Sequence, residues 1–239
     1  MSADPRTPGG AADSCRPATP YRRRVADVPS FVREPKQERS RQSFDKALDA
    51  AVALMVERRS GAFTLAEVAE RAGVSIGSMY GRVDSKDALI RTAHAREMAR
   101  IRAEQDDVFG AAAPPDEDLP GVVRRIIVMT AEHLRRNAAV LGPLMVVGSQ
   151  DPLVFAAGRS NYEGLVESFC ATLLTHRDEI RRADPDRAVA WSFDVVYSVV
   201  ARHLGLGSAP EAAGQGEWDR ILDDLAEMVT AFLEGSTTR

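Results

Sequence analysis

Apolar positions recur with the period of an α-helix along most of the chain. Five of them share one face of a first predicted helix, at spacings of 4, 3, 1 and 3: Phe44, Leu48, Ala51, Val52 and Met55. Ser60-Gly61 ends that helix. A short second helix turns Leu65, Val68, Ala69 and Ala72 inward. No segment has a convincing strand pattern, so we predict an all-α fold.

Local capping residues mark the boundaries of the next helices. Thr64 and Glu67 form a capping box that opens the second helix, and Gly73 ends it, since glycine tolerates the left-handed conformation of a tight turn. Ser75 is predicted to cap a third helix and Asp84 a fourth. Two short helices joined by a glycine-containing turn, with one helix on either side, indicate a helix-turn-helix. An ordinary helical hairpin has the same local features.

The rest of the chain predicts a helical bundle. Residues 105–118 are acidic and rich in Pro and Ala, which indicates a linker. Further helices are predicted near 119–137, 142–149, 152–182, 185–206 and 217–234, with a loop from Gly207 to Gly216. The last two helices are the most apolar. One of them has two apolar stripes, so it must be covered on several faces; the stripes are Val189, Phe193, Val196 and Val200, and Trp191, Val195 and Val199.

Charge is distributed unevenly along the chain. The overall net charge is −4, but residues 1–35 have a net charge of +2, residues 36–100 of +3 and the remainder of −9. A basic N-terminal part on an acidic body is typical of a DNA-binding head, although a solvated mixture of charges also allows it. We predict four parts: a disordered basic tail (1–35), a helix-turn-helix domain (36–83), a connecting helix (84–108) and a ligand-binding and dimerisation domain (109–239). The tail contains Tyr21-Arg22-Arg23-Arg24, either solvated or an arm that contacts phosphates.

Residues 73–89 carry a resemblance to a known family. The frame is Gly-Val-Ser at 73–75, then Gly77-Ser78-x-Tyr80, then Lys86-x-x-Leu89, with Thr64-Leu65-x-x-Val68-Ala69 ahead of it. It resembles the DNA-binding motif of the TetR family of transcriptional regulators. The resemblance covers roughly residues 38–95.

The resemblance implies that residues 75–82 form the recognition helix, which lies in the major groove of operator DNA. The DNA-contacting residues are then expected to be Arg39, Arg41, Thr64, Ser75, Ile76, Gly77, Ser78, Tyr80, Arg82 and Lys86. Ile76 can offer only apolar contact, for instance to a thymine methyl. Lys86 opposes the dipole of its helix, a cost that is understandable if it holds a phosphate. Thr64 is a cap in any case, and Arg41 can equally be a solvated side chain.

The resemblance also implies that the last two helices pair with their copies in a homodimer. A single monomeric core fits the same periodicity. If the dimer forms, charged residues at Val196 and Leu225 are predicted to give monomers. The remaining helices are expected to enclose a pocket for an apolar or amphipathic effector. Candidate lining residues are Met129, His133, Met145, Phe155, Tyr162, Phe169 and Trp191, types that are common in pockets and in any core.

Several classes of function are not expected. The histidines are scattered and Cys15 and Cys170 are too few for a disulfide framework, so we expect no metal, no cofactor and a reducing cytoplasm. No apolar run is long enough to span a membrane, and no P-loop, dinucleotide fingerprint or hydrolase elbow occurs, so we expect no enzyme. The leading hypothesis is a repressor that a small molecule releases from an inverted-repeat operator. The alternatives are a regulator controlled by a protein partner or unliganded, and a helical-bundle enzyme or binding protein.

Overall fold

The computed structural model describes residues 38–207, 211 and 213–235, and only the backbone of residues 38–40. The predicted tail and its Tyr21-Arg22-Arg23-Arg24 cluster lie outside the described residues. Within them the chain forms eight α-helices and no strand, so the all-α prediction is confirmed. The helices are α1 (Glu38–Arg58), α2 (Leu65–Ala72), α3 (Ile76–Tyr80), α4 (Lys86–Phe109), α5 (Leu119–Gly148), α6 (Pro152–Leu174), α7 (Pro185–His203) and α8 (Trp218–Glu234).

Helices α1, α2 and α3 form a small head together with the first turns of α4. The predicted capping box is present: the Thr64 amide donates to the Glu67 carboxylate (2.7 Å), and the Glu67 amide donates to the Thr64 hydroxyl (3.2 Å). Arg58 of α1 also binds Glu67, and this hydrogen bond, followed by those from Thr64, lowers the pKa of Glu67 to about 2. Gly73 adopts the left-handed conformation (φ 67°) that the turn between α2 and α3 requires.

The head and the body have separate apolar cores. In the head, residues of α1, α2 and α4 surround Met79 and Val83, both of which are almost fully buried. In the body, α5 to α8 bury a larger cluster that includes Phe169 and Phe193. The stripe of Val189, Phe193, Val196 and Val200 belongs to this cluster, and each of its side chains is fully buried.

The burial of Val196 and Leu225 corrects the proposed test of dimerisation. Val196 is 0% exposed and Leu225 is 4% exposed within a single chain. A charge at either position would destabilise the monomer itself, because the core offers it no partner. The apolar side chains that α7 and α8 leave in solvent are Trp191, 58% exposed, and Met228, 47% exposed.

Helix α5 is longer than predicted, because the chain does not break between residues 137 and 142. It forms one helix of 30 residues with Pro143 inside it. A proline in a helix costs about 3 kcal/mol, since it lacks the amide and crowds the preceding turn. Tertiary packing offsets this cost: Leu144 is buried in the head core and Val147 packs against it. The C-terminal end of α5 therefore contacts the head, as α4 does.

Other boundaries differ by smaller amounts. Helix α4 is capped by Ser85, not Asp84, because the Ser85 hydroxyl accepts the amide of Ala88 (3.1 Å). The same helix continues to Phe109 into the predicted linker. Helix α6 ends at Leu174, where a short 3₁₀ helix (Arg177–Glu179) follows. No helix of the described residues is long and apolar enough to cross a membrane.

Candidate functional site

One face of α3 presents large side chains to solvent. Ile76 is 42% exposed and Tyr80 is 61% exposed, whereas Met79 on the opposite face is 2% exposed. Ile76 and Tyr80 are four residues apart, so they lie on the same side of the helix. A Cβ at Gly77 would meet nothing within 4 Å, so the fold itself does not require glycine there. The exposed side of α3 is thus open to close approach by another molecule.

The two serines of α3 have a structural role in the free protein. The Ser75 hydroxyl accepts the Ser78 amide (3.1 Å) and donates to the Ser78 hydroxyl (3.0 Å). Ser75 is therefore the N-cap of α3, as predicted. Both side chains are exposed beside Ile76 and Gly77. A hydroxyl has one donor hydrogen and two acceptor lone pairs, so each can still bind a base edge or a phosphate.

The other candidate DNA contacts lie on α1, at the start of α2, after α3 and in the first turn of α4. The Lys86 ammonium donates to the Gly61 carbonyl (3.1 Å) and lies 5.8 Å from the centre of the Phe63 ring. Two of its three donor hydrogens remain for a phosphate. The Arg82 guanidinium lies over the Phe44 ring at 5.4 Å. Thr64 is exposed at the N-terminal end of α2, and Arg41 is exposed on α1. Arg39 belongs to the first turn of α1, and its side chain is not described.

A second candidate site is a cavity of about 930 Å³ inside the body. Helices α4, α5, α6 and α7 supply nearly all of its walls. Its α4 wall consists of His94, Met98, Ile101 and Gln105, which span about 16 Å at the helical rise of 1.5 Å per residue. Sites for small molecules have volumes of roughly 300–1,000 Å³ and mostly apolar walls with a few polar groups. This cavity has both properties.

The cavity includes four of the seven residues that were predicted to line a pocket. These are His133, Met145, Phe155 and Tyr162. The other three lie elsewhere. Phe169 is fully buried in the body core, and Trp191 is exposed on α7. Met129 contacts Arg125 on the preceding turn of α5. Periodicity places these three on helices correctly, but it does not determine which side of a buried helix faces empty space.

Several polar lining residues were not predicted. Among them are His94, Gln105, Asn161, Asp194 and Tyr197. A signal was present for two of them, since His94 and Gln105 share the inward stripe of α4 with Met98 and Ile101 at spacings of 4, 3 and 4. Buried polar residues in an apolar stripe need a partner, and a ligand is one such partner. No comparable local signal exists for Asn161 and Asp194.

Two histidines of the cavity are buried and neutral. Burial lowers the pKa of His94 to about 4, against the opposing effect of Asp151. Burial also lowers the pKa of His133, against the opposing effect of Glu104. The Nδ1 atom of His133 has no hydrogen-bond partner among the described residues, and the Glu104 carboxylate is 3.8 Å away. A neutral imidazole offers one donor and one acceptor to a bound molecule.

Polar contacts connect α4, which borders the cavity, to its neighbours. The Arg91 Nε atom donates to Asp151 (2.7 Å), and Asp151 also caps α6 by accepting the Leu153 amide. The Arg96 guanidinium binds Asp49 of α1 (2.6 Å). A rearrangement of α6 around a ligand would therefore act on α4, and through it on the head. In the described part of the chain, no three His, Cys, Asp or Glu side chains are grouped to hold a metal ion.

Comparisons with known proteins agree with this architecture. Residues 47–93, most of the head, match the family model described as bacterial regulatory proteins, tetR family. The whole fold is similar to a Mesorhizobium loti protein assigned to the TetR family of transcriptional regulators, with 16% identity, 82% of this chain and 98% of that chain covered, and a TM-score of 0.61. A tetR-family regulatory protein from Rhodococcus RHA1 matches at 16% identity, with the same shares covered and a TM-score of 0.58.

A third similar structure is the fatty acid degradation regulator FadR from Bacillus halodurans. It is 14% identical, 78% of this chain and 97% of that chain are covered, and the TM-score is 0.52. At these identities the structural likeness supports the fold. A comparison with curated protein sequences gave no match.

The fold and the helix-turn-helix head define a DNA-binding transcriptional regulator, not an enzyme. Within that class, the head matches the model of the tetR family of bacterial regulatory proteins, and the whole fold is similar to that of TetR-family regulators.

Proposed function

We propose that this protein is a repressor that a small molecule, bound in the body cavity, releases from an inverted-repeat operator. The observation that carries the proposal is the cavity of about 930 Å³ beside α4, the helix that runs from the head into the body. In this account residues 36–83 bind DNA, and residues 109–239 bind the effector and form the dimer. Residues 84–108 connect these two parts.

DNA contact is assigned to the exposed side of α3 and to the residues around it. Ile76 makes apolar contact with base edges, and Ser75 and Ser78 hydrogen-bond to base edges or phosphates. Gly77 allows close approach, while the Tyr80 hydroxyl and the Lys86 ammonium bind phosphates. Thr64, Arg39 and Arg41 add backbone contacts from α2 and α1. Arg82 reaches a phosphate after leaving the ring of Phe44.

A homodimer is assigned to α7 and α8. Trp191 and Met228 are large apolar side chains exposed on these two helices, where they are accessible to a second copy of the chain. A two-fold dimer presents two identical recognition helices. Two helices that read one face of DNA need half-sites roughly 34 Å apart, or a multiple of that distance.

The test combines DNA selection with a ligand screen. Duplexes that the protein binds most tightly are selected from a random pool, and we expect an inverted repeat. A melting screen of small molecules then identifies those that stabilise the free protein, since a ligand of the folded state raises its melting temperature. We expect such molecules to weaken operator binding. If no screened molecule both stabilises the protein and weakens DNA binding, control by a protein partner replaces this proposal.

A further inference from the structure

The charged groups around the cavity are mostly acidic. Its lining includes three carboxylates, Glu163, Glu167 and Asp194, and a single guanidinium, Arg159, among the described residues. The Arg159 Nε atom donates to the Glu163 carboxylate at 2.9 Å. The guanidinium is therefore already bound to an acid, and the balance of charge at the cavity wall is negative.

Asp194 is the carboxylate of interest. It lies on α7 at the exposed rim of the cavity, and no side chain of the described chain forms an ion pair with it or donates a hydrogen bond to it. Partial burial of the carboxylate raises the pKa of Asp194, and no neighbouring cation opposes that shift. Its charge acts on Tyr162, whose pKa is raised by burial and then by Asp194. An unpaired carboxylate at the edge of an apolar cavity attracts a positive group.

Aromatic rings stand beside this carboxylate. Tyr162 of α6 meets Tyr197 of α7 edge to face with ring centres 5.0 Å apart, and both contact Phe193 at 5.7 and 5.6 Å. Tyr197 is one turn from Asp194 on the same helix, so the two side chains are neighbours. Ring faces are electron-rich and attract cations, including quaternary ammonium groups. Tyr162 and Tyr197 both line the cavity.

The interior of the cavity offers hydrogen bonds but no positive charge. His94 and His133 are buried in its wall, and both are neutral because burial lowers the pKa of each. Neither has a hydrogen-bond partner among the described side chains. For the buried Nδ1 atom of His133 this is costly unless a ligand supplies a partner. Between them lie apolar residues such as Met98, Ile101 and Leu144. An anion would meet no unpaired cation here.

We propose that the cavity binds an amphipathic organic cation. Its positively charged nitrogen lies between the Asp194 carboxylate and the rings of Tyr162 and Tyr197, and its apolar body extends along α4. A polar group on that body, where present, hydrogen-bonds to His133 or His94. This inference rests on the small-molecule function proposed above and names the chemical class of the effector.

The test uses three probes with the same hydrocarbon chain and different head groups: decyltrimethylammonium, decanol and decanoate. Each is titrated into the full-length protein, the two ionic probes below their micelle concentrations and decanol below its solubility limit, and its dissociation constant is measured by calorimetry. We expect the cation to bind about tenfold more tightly than the alcohol, and the anion to bind most weakly. Decanoate also tests whether the cavity prefers a fatty acid.

Variants of Asp194 locate the preference. Asp194→Asn should remove the advantage of the cation and leave decanol binding unchanged, while Asp194→Glu should retain the advantage. Asp107→Asn is the matched control, since Asp107 is an exposed acid on α4 outside the cavity lining. Circular dichroism checks that each variant is folded. The proposal is overturned if decanoate binds most tightly, if Asp194→Asn keeps the preference for the cation, or if none of the probes binds.

The same probes separate this inference from the proposed function. If the cation binds through Asp194 but leaves operator affinity unchanged, the ligand class stands and the proposed function fails. If decanol or decanoate instead binds at least as tightly as the cation and releases operator DNA, the proposed function stands and the ligand class is wrong.

Discussion

Ile76 and Tyr80 are large side chains that the fold leaves in solvent, although Met79 between them is buried. Neither side chain is buried in the core of the free protein. We therefore interpret both as side chains that contact another molecule. Tyr80 has a hydroxyl that can donate to a phosphate, whereas Ile76 has only an apolar surface for a base edge. Neighbouring residues of one short helix therefore have different expected effects on DNA binding.

Tyr80→Phe and Lys86→Ala should weaken binding to operator and to random DNA by the same factor. Both side chains are assigned to phosphates, and phosphate contacts carry no sequence information. For Lys86→Ala the slope of log affinity against log salt concentration should become shallower by about one. The variant has one cation fewer to displace counter-ions from the DNA phosphates. Fluorescence anisotropy at several salt concentrations measures both quantities.

Two comparisons make that result specific. Ile76→Ala should weaken operator binding and leave random DNA unaffected, and Arg220→Ala, an exposed site on α8, should change neither. An unchanged salt slope for Lys86→Ala would rule out its phosphate contact and leave it with the Gly61 carbonyl alone.

His94 makes stability depend on pH. Burial lowers its pKa from the ordinary 6.5 to about 4, so the unfolded chain binds more protons than the folded chain between these values. The stabilising effect is complete above pH 6.5 and is lost as the pH falls towards 4. The loss is about 3–3.5 kcal/mol at most. Urea unfolding at pH 7.5 and pH 5 should show a smaller pH effect in His94→Gln than in the wild type. Equal pH effects in both proteins would contradict the assignment.

The helices differ in how far their sequences predict them. The ends of α2 and α3 follow from residues within one turn, such as Thr64, Glu67 and Ser75, so local reasoning locates them. The continuity of α5 through Pro143 depends on packing of Leu144 and Val147 against the head, which is distant in sequence. The cavity depends on the arrangement of four helices, so its lining was only partly predictable. In the sequence, Asp194 resembles any acidic surface residue of a helix. Only the fold shows that it lines the cavity.

The surface of α7 and α8 yields a sharper test of the dimer than the core does. Trp191→Asp combined with Met228→Asp should give a folded monomer, because an apolar interface does not accommodate unpaired charge. Val196→Asp is the contrasting variant and should unfold the chain, since Val196 is fully buried in one protomer. Sedimentation at micromolar concentration and circular dichroism distinguish these outcomes. A wild-type monomer would exclude the proposed dimer.

The whole molecule connects body and head through two helices. Helix α4 begins in the head and lines the cavity. The C-terminal end of α5 also contacts both, since Leu144 lies in the head core and in the cavity wall. A ligand can shift the molecule only through its different affinity for two arrangements of these helices. Because both helices contact the head, a ligand can act on it through α5 as well as through α4.

Phe155→Ala should change the response to ligand and leave ligand-free DNA affinity nearly intact. Phe155 is at the cavity rim and exposed, so its removal leaves the core and the head unaltered. The ligand concentration for half-maximal release of operator DNA should shift severalfold. Leu153→Ala, an exposed α6 residue outside the cavity lining, is the control and should show no shift. A fall in the DNA affinity of ligand-free Phe155→Ala would show that this residue acts on the head directly.

The coupling between cavity and head is the central claim. Its most direct test is the dissociation constant for selected operator DNA, with and without a saturating ligand from the melting screen. Gly158→Trp, which places a large side chain in the cavity wall where a Cβ meets nothing within 4 Å, should block the ligand and confirm where it binds. The account predicts that the ligand weakens operator binding by about 5- to 150-fold in the wild type. An unchanged dissociation constant with the cavity fully occupied would contradict it.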